Sequence, residues 1–247
     1  MATVDDTLMV PVRDDLAAAQ ARAWARIARP GTWWSGAERV AIAAESRHAA
    51  GCRWCRERKL GLSPDAVAGT HDSLGALPAG VVEIVHRVRT DPGRLTERWY
   101  RGVIAGGVSE ERYVETVSVV AHVVAIDTMM RGLGQDPQPL PTPQPGRPSA
   151  RRPRGARSGP AWVAWVEPED AAAGELCHYP PDRRPAANIL KALSLVPAEA
   201  EGFFDLVGHQ YLPGPAMRDF TREYRAISHA QIELLAARVS ALNQCLY

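Results

Sequence analysis

The chain has 247 residues, 46% of them hydrophobic and 23% charged, with a net charge of +1. That length and balance fit one large or two small globular domains, each able to bury a core, and argue against broad electrostatic binding of nucleic acid. No apolar run approaches the roughly 20 residues of a membrane span, and the N-terminal region, with Asp5, Asp6, Asp14 and Asp15, lacks the apolar stretch of a secretory signal. A cytoplasmic protein is the expectation, with neither membrane nor nucleic-acid partner.

Almost every long segment reads helical. Residues 14–29 carry small apolar and charged side chains at helical spacing and stop at Pro30-Gly31. Ser35 followed by Glu38 forms a capping box ahead of Val40, Ile42 and Ala43. Residues 78–89 place Val81, Val82, Val85 and Val88 on one stripe behind Pro78. Ser109-Glu-Glu-Arg112 opens the strongest helix, with Val114, Val117, Val120, Ala121, Val124 and Met129 at helical intervals. Its β-branched run could pass for a strand, but the cap and the length favour a helix.

Residues 136–160 alternate proline with polar residues and arginine, which removes backbone donors and predicts an extended, exposed spacer. Arg147, Arg151, Arg152, Arg154 and Arg157 there form a basic run that reads as a solvated linker or a phosphate contact. Beyond it, Ala161-Trp-Val-Ala-Trp-Val166 alternates and can form a strand or pin the linker. Asn188–Leu195, a segment opened by Pro197, and a capping box at Ser228 and Gln231 predict further helices. In the last of these, Ile232, Leu235, Val239, Leu242 and Leu246 lie on one face that should be buried. The prediction is an all-α fold in two helical halves, residues 1–135 and 161–247, joined by 136–160.

Cysteines stand at 52, 55, 177 and 245, whereas a secreted disulfide framework would use more of them, at wider spacings, in a shorter chain. Cys52-Arg-Trp-Cys55 is a complete C-x-x-C. At a helix N-terminus, and with Arg47, Arg53, Arg56, Arg58 and Lys59 nearby, such a pair would hold a reactive thiolate. Inert core thiols and half a zinc site are the competing readings. No second C-x-x-C or closely spaced histidine pair supplies the other two zinc ligands, so neither metal nor cofactor is expected. A thioredoxin-like site is disfavoured, since no βαβ pattern surrounds the pair.

The C-terminal stretch from Ser228 through Val239-Ser-Ala-Leu-Asn243 to Cys245 resembles the redox helix of the alkylhydroperoxidase (AhpD-like) and carboxymuconolactone decarboxylase family. Glu233 lies twelve residues before Cys245, the family's spacing. Residues 35–62, Thr90–Leu95 and Ala105–Glu115 resemble the same family's domain, and Ala187–Pro197 resembles its preceding helix. The resemblance implies an antioxidant peroxidase or thiol oxidoreductase that takes a peroxide substrate and a thiol reductant, and commonly forms homo-oligomers. It would make Cys52 and Cys55 one redox pair, Glu233 a proton-relay carboxylate and Cys245 a resolving thiol, with Tyr247 just before the peroxidatic position. The branch it points to includes selenoproteins, which leads to the expectation that the next codon is UGA, read as selenocysteine, and that the second half is incomplete.

Two departures stand out in the first half. Val40 occupies the relay-Glu position, between Glu38 and Glu45, and Lys59 occupies the relay-His position. Glu45, His48 and His71 are the candidate substitutes. In the second half, one straight helix would hold Glu233 and Cys245 about 18 Å apart, so a turn near Asn243 is expected. A non-catalytic helical scaffold with relic motifs is the alternative from another class. A lactone-acid decarboxylase is a third, disfavoured because such enzymes need no cysteine pair.

Overall fold

The computed structural model describes residues 11–179, 186–243 and 245. Tyr247, named above beside the peroxidatic position, lies outside them, as does Leu246. The chain is all-α: helices α1 (Asp14–Ala28), α2 (Gly36–Ala49), α3 (Arg53–Leu60), α4 (Ala79–Thr90), α5 (Glu97–Ala105) and α6 (Glu110–Gly132) precede the proline-rich segment. After it come β1 (Ala156–Arg157), β2 (Trp165–Val166), α7 (Asn188–Lys191), α8 (Pro197–Gln210), α9 (Gly214–Met217) and α10 (His229–Leu242). The two short strands pair antiparallel, so the alternating tryptophan segment both extends and pins the linker.

Caps set the helix starts. The Ser35 hydroxyl accepts from the Glu38 amide at 3.3 Å, and Glu38 accepts from the Ser35 amide at 2.8 Å. Ser228 and Gln231 form the same reciprocal box, and Ser109 accepts from the Arg112 amide. Each satisfies N–H groups that a helix start leaves without intrahelical partners.

α6 is the central element, packed against α1, α2, α4 and α8. Its length and apolarity would suffice to cross a membrane, so one segment does meet the test that the sequence reading found unmet. Packing explains the composition: Val119, Val120, Val123 and Ile126 are buried with Ile27, Ile42, Val81, Ile84, Val85 and Leu206. Leu206 comes from α8, so the chain's second half completes the core of the first.

A buried ion trio ties these layers. The Arg39 guanidinium (α2) contacts Glu115 of α6 at 2.5 Å and Glu199 of α8 at 2.7 Å, all three side chains being almost fully buried. The Glu115 carboxylate also accepts from the Trp33 amide at 2.7 Å, and Ser118 donates to Glu199 at 2.7 Å. One cation faces two carboxylates, so one of them favours its neutral form. Burial and the nearby Glu199 charge push the Glu115 carboxyl up to about 7, against the opposing pull of Arg39. For Glu199, burial opposes ionisation, but Arg39 outweighs it and lowers the pKa.

The proline-rich segment has no regular structure up to β1, but it is not a free spacer. The Gln144 amide donates to Ala28 O at 2.8 Å, the Ala150 amide to Thr32 O at 2.7 Å, and the Trp24 indole to Pro139 O at 2.9 Å. Arg152 pairs with Glu110 and Glu111 at the start of α6. A chain short of backbone donors still offers carbonyls and a few amides, and these meet the open end of α1.

The face of α10 departs from expectation. Ile232 is buried with Leu212 and Ala216, but Leu235, Val239 and Leu242 are exposed. The cap and the apolar spacing form the helix, while only its first turn is covered by the described residues.

The trio gives a pH dependence with a defined sign. An unfolded glutamate titrates near its ordinary 4.5 and Glu115 in the folded protein near 7. Within that window the folded protein holds a proton that the unfolded chain releases. Glu115 therefore favours folding most below the window, and the benefit is lost as pH rises through it. Urea unfolding of the wild type at a series of pH values should show this decline, and Glu115→Gln, neutral throughout, should flatten it. Equal slopes in both proteins would refute the assignment. Arg39→Met should cost about 3–5 kcal/mol, because it leaves a carboxylate buried without its cation.

Candidate functional site

The loop between α2 and α3 turns at Gly51, and Cys52 becomes the residue that caps α3. Cys55 lies in the first turn of α3, and both sulfur-bearing side chains are buried. The segment leading from α3 to α4 passes over them and delivers His71, and α4 delivers His86. Close approach of backbone to ring makes this possible. A Cβ on Gly69 would stand 2.4 Å from the Trp54 indole, so only glycine lets the loop lie against Trp54. Trp54 donates to Val67 O at 3.0 Å and packs edge-on against His71 at 4.4 Å between ring centres.

Four donor atoms converge. Cys55 Sγ lies 3.3 Å from His71 Nδ1 and 3.2 Å from His86 Nδ1, and Cys52 Sγ lies 4.0 Å from His71 Nδ1. All four ligand-type atoms of Cys52, Cys55, His71 and His86 lie within 4.8 Å of one another. Behind each imidazole stands a carboxylate. His71 Nε2 meets Glu83 at 2.6 Å and His86 Nε2 meets Glu45 at 2.8 Å. In a neutral ring, a carboxylate that accepts from Nε2–H leaves the Nδ1 lone pair aimed at the sulfurs.

Glu83 is itself fixed from three sides. The Trp99 indole donates to it at 2.8 Å and Arg58 at 3.2 Å. Burial would raise its carboxyl, but hydrogen bonds from His71, Trp99 and Arg58 prevail and hold it at about 2. Glu45 also accepts from the Leu74 amide at 3.1 Å, which anchors the loop bearing His71. Burial lowers the His86 pKa, with the Glu45 contact working against that shift.

The two thiols differ. Burial raises Cys52, yet the backbone amides of Cys55 and Asp72, with His71 and the Cys55 thiol, bring it down to about 7. Burial and the neighbouring Cys52 push Cys55 up to about 12. The pair opens onto a cleft of about 230 Å³ lined by Arg56, Lys59, Arg89 and Thr90. Of the five cations expected to act on the thiols, Arg47 is committed to Asp127, Arg58 to Glu83 and Arg53 to Glu57. Arg56 and Lys59 remain at the cleft.

Among the residues singled out from sequence, Cys52, Cys55, Glu45 and His71 meet at one place. His48 faces Asp72 at 3.3 Å instead of a sulfur. Glu233 accepts from the Tyr211 hydroxyl at 2.6 Å and lies 3.4 Å from His229. α10 ends at Leu242, Asn243 caps it, and the Cys245 amide returns to Ser240 O at 2.9 Å. Neither Glu233 nor Cys245 belongs to the cluster around Cys52. His86 and Glu83 were missed from sequence. They sit three residues apart on α4 and so share a helix face, but the valine stripe of that helix gives no sign that they meet the C-x-x-C. No known protein family, curated protein or solved structure matches the chain.

The asymmetry of the thiols sets an order of reaction. In reduced, metal-free protein, limiting iodoacetamide near neutral pH should modify Cys52 before Cys55, as read by peptide mapping. Equal or reversed labelling would contradict the arrangement of donors around Cys52.

Proposed function

We propose that the chain is a dithiol oxidoreductase that reduces peroxides through Cys52 and Cys55. The observation that carries this reading is the buried thiol pair at the start of α3, packed against two imidazoles that are each backed by a carboxylate. The resemblance of residues 35–62 and 105–115 to AhpD-like domains supports it, and the carboxylate–histidine pairs supply the base that Val40 and Lys59 do not.

The chemistry follows from position. The Cys52 thiolate, favoured by the amides at the helix start, attacks one peroxide oxygen as the O–O bond breaks. The leaving alkoxide takes a proton and departs as alcohol, and Cys52 becomes a sulfenic acid. Cys55 then passes its proton to an adjacent imidazole Nδ1 and attacks the Cys52 sulfur. A disulfide forms, and the displaced hydroxide leaves as water with that proton. An external thiol reductant restores both thiols by exchange. Peroxide and reductant reach the pair through the cleft beside Arg56, Lys59 and Arg89, whose charges favour an anionic substrate.

Treating metal-free protein with a stoichiometric peroxide should yield a Cys52–Cys55 linked peptide in mass spectrometry. Cys52→Ser should abolish peroxide consumption, while Cys177→Ser should leave it unchanged. His71→Gln should slow the reaction by about 10²-fold, the usual contribution of a positioned base. Thiols that stay reduced under peroxide would refute the reading and leave a helical scaffold with relic motifs.

A further inference from the structure

We infer that Cys52, Cys55, His71 and His86 form a tetrahedral site for a zinc ion. Zinc bound by two thiolates and two imidazoles has Zn–S bonds of about 2.3 Å and Zn–N bonds of about 2.0–2.1 Å, which place ligand atoms about 3.3–3.8 Å apart. Three of the sulfur-to-nitrogen distances here are 3.2, 3.3 and 4.0 Å, and no pair of the four atoms exceeds 4.8 Å. Small rotations of the side chains close that difference.

Proton counting favours a cation. Both imidazoles direct Nε2 toward carboxylates, so in neutral rings that donate there both Nδ1 atoms face the sulfurs as acceptors. With both rings neutral, Cys55 Sγ touches two acceptors but carries at most one proton, so one of its two short contacts brings lone pairs together. A soft divalent ion at the centre of the four atoms satisfies all of them at once.

The surroundings match those of metal ligands. A histidine that binds a metal through one ring nitrogen typically donates the other to a carboxylate, which fixes its ring and raises its basicity. Glu83 and Glu45 stand at those positions, and Glu83 is further held by Trp99 and Arg58. Cys52, Cys55 and His86 are buried and His71 nearly so, which makes the site closed, without an open coordination position. Two thiolates balance the ion's charge, so the centre formed by the ion and its four ligands is neutral. Sulfur and imidazole ligands select zinc over the oxygen-seeking magnesium and calcium.

Metal binding does not rest on the dithiol chemistry proposed above, but a disulfide holds no zinc, so oxidation of the pair ends it. If that chemistry operates, zinc-bound thiolates give two electrons to the peroxide O–O bond and join as a disulfide. The alkoxide and hydroxide formed take two protons from solvent, and Zn²⁺ is released.

The test uses the full chain, reduced and stripped with chelator, then titrated with Co²⁺ as a spectroscopic stand-in. The expected result is saturation at one ion per chain, with the intense visible bands of tetrahedral cobalt and thiolate-to-cobalt charge transfer. Zn²⁺ should displace the cobalt, and the zinc-loaded protein should melt at a higher temperature than the stripped one. Cys55→Ser and His71→Ala should each lose the tetrahedral spectrum, while Cys177→Ser and Cys245→Ser keep it. The wild-type spectrum decides the matter even if a variant fails to fold. No tetrahedral spectrum, or one that persists in both Cys55→Ser and His71→Ala, overturns the inference. Stripped protein treated with peroxide separates the two readings. Disulfide formation without a cobalt spectrum would sink only the metal site, and a cobalt spectrum with unreactive thiols would sink only the peroxidase.

Discussion

Arg39 is buried between Glu115 and Glu199, and the arrangement of the bundle rests on that contact. It fixes α2 against both α6 and α8, which join the two ends of the chain in one core. Glu45 lies further along the same helix, nearly two turns past Arg39, at a rise of about 1.5 Å per residue. With α2 held at one end by its ion trio, Glu45 is presented to α4, where it receives His86. The cysteine pair follows immediately after α2, so the same anchor also places the start of α3. A charged group buried for the sake of the fold thus sets the position of a second buried charged group that serves the site.

The two carboxylates of the site do different work through similar contacts. Glu45 is fully buried and receives His86 and the Leu74 amide, so it ties the His71 loop to α2. Glu83 receives His71, Trp99 and Arg58, and so pairs with the one cation of the arginine run that also acts on Cys55. Electrostatic activation of Cys52 therefore comes from backbone amides and His71 more than from the surrounding arginines. The arginine run near the C-x-x-C misleads in this respect. Most of its members balance acids elsewhere, and burial of the sulfurs makes short-range hydrogen bonds count for more than distant charge.

The helical architecture was largely legible because its signals are local. Ser35 with Glu38, Ser109 before Glu110, and Ser228 with Gln231 each specify a start within four residues, and each cap forms. The site was legible in part. The C-x-x-C and its helix start are written in adjacent residues, and Glu45 and His71 stood out as nearby acid and base. His86 and Glu83 did not, because their meeting with the cysteines depends on how α4 packs on α2 and α3. A histidine on the buried face of an amphipathic helix carries no mark of its partner. The apolar face of α10 fails for the converse reason: periodicity specifies a face, while burial requires something to cover it.

Zinc-site spacing rules look for ligands close together in sequence, usually pairs separated by a few residues. Here the cysteines obey such a rule and the histidines do not, since one comes from a loop and the other from the middle of a helix. What joins them is the second layer: a carboxylate behind each imidazole, on two different helices. Those carboxylates orient Nδ1 toward sulfur whether the centre holds a proton or a metal ion. The same scaffold therefore suits a base that accepts the Cys55 proton and a ligand that binds zinc. The two uses differ only in what sits between nitrogen and sulfur, and a disulfide between the cysteines closes both.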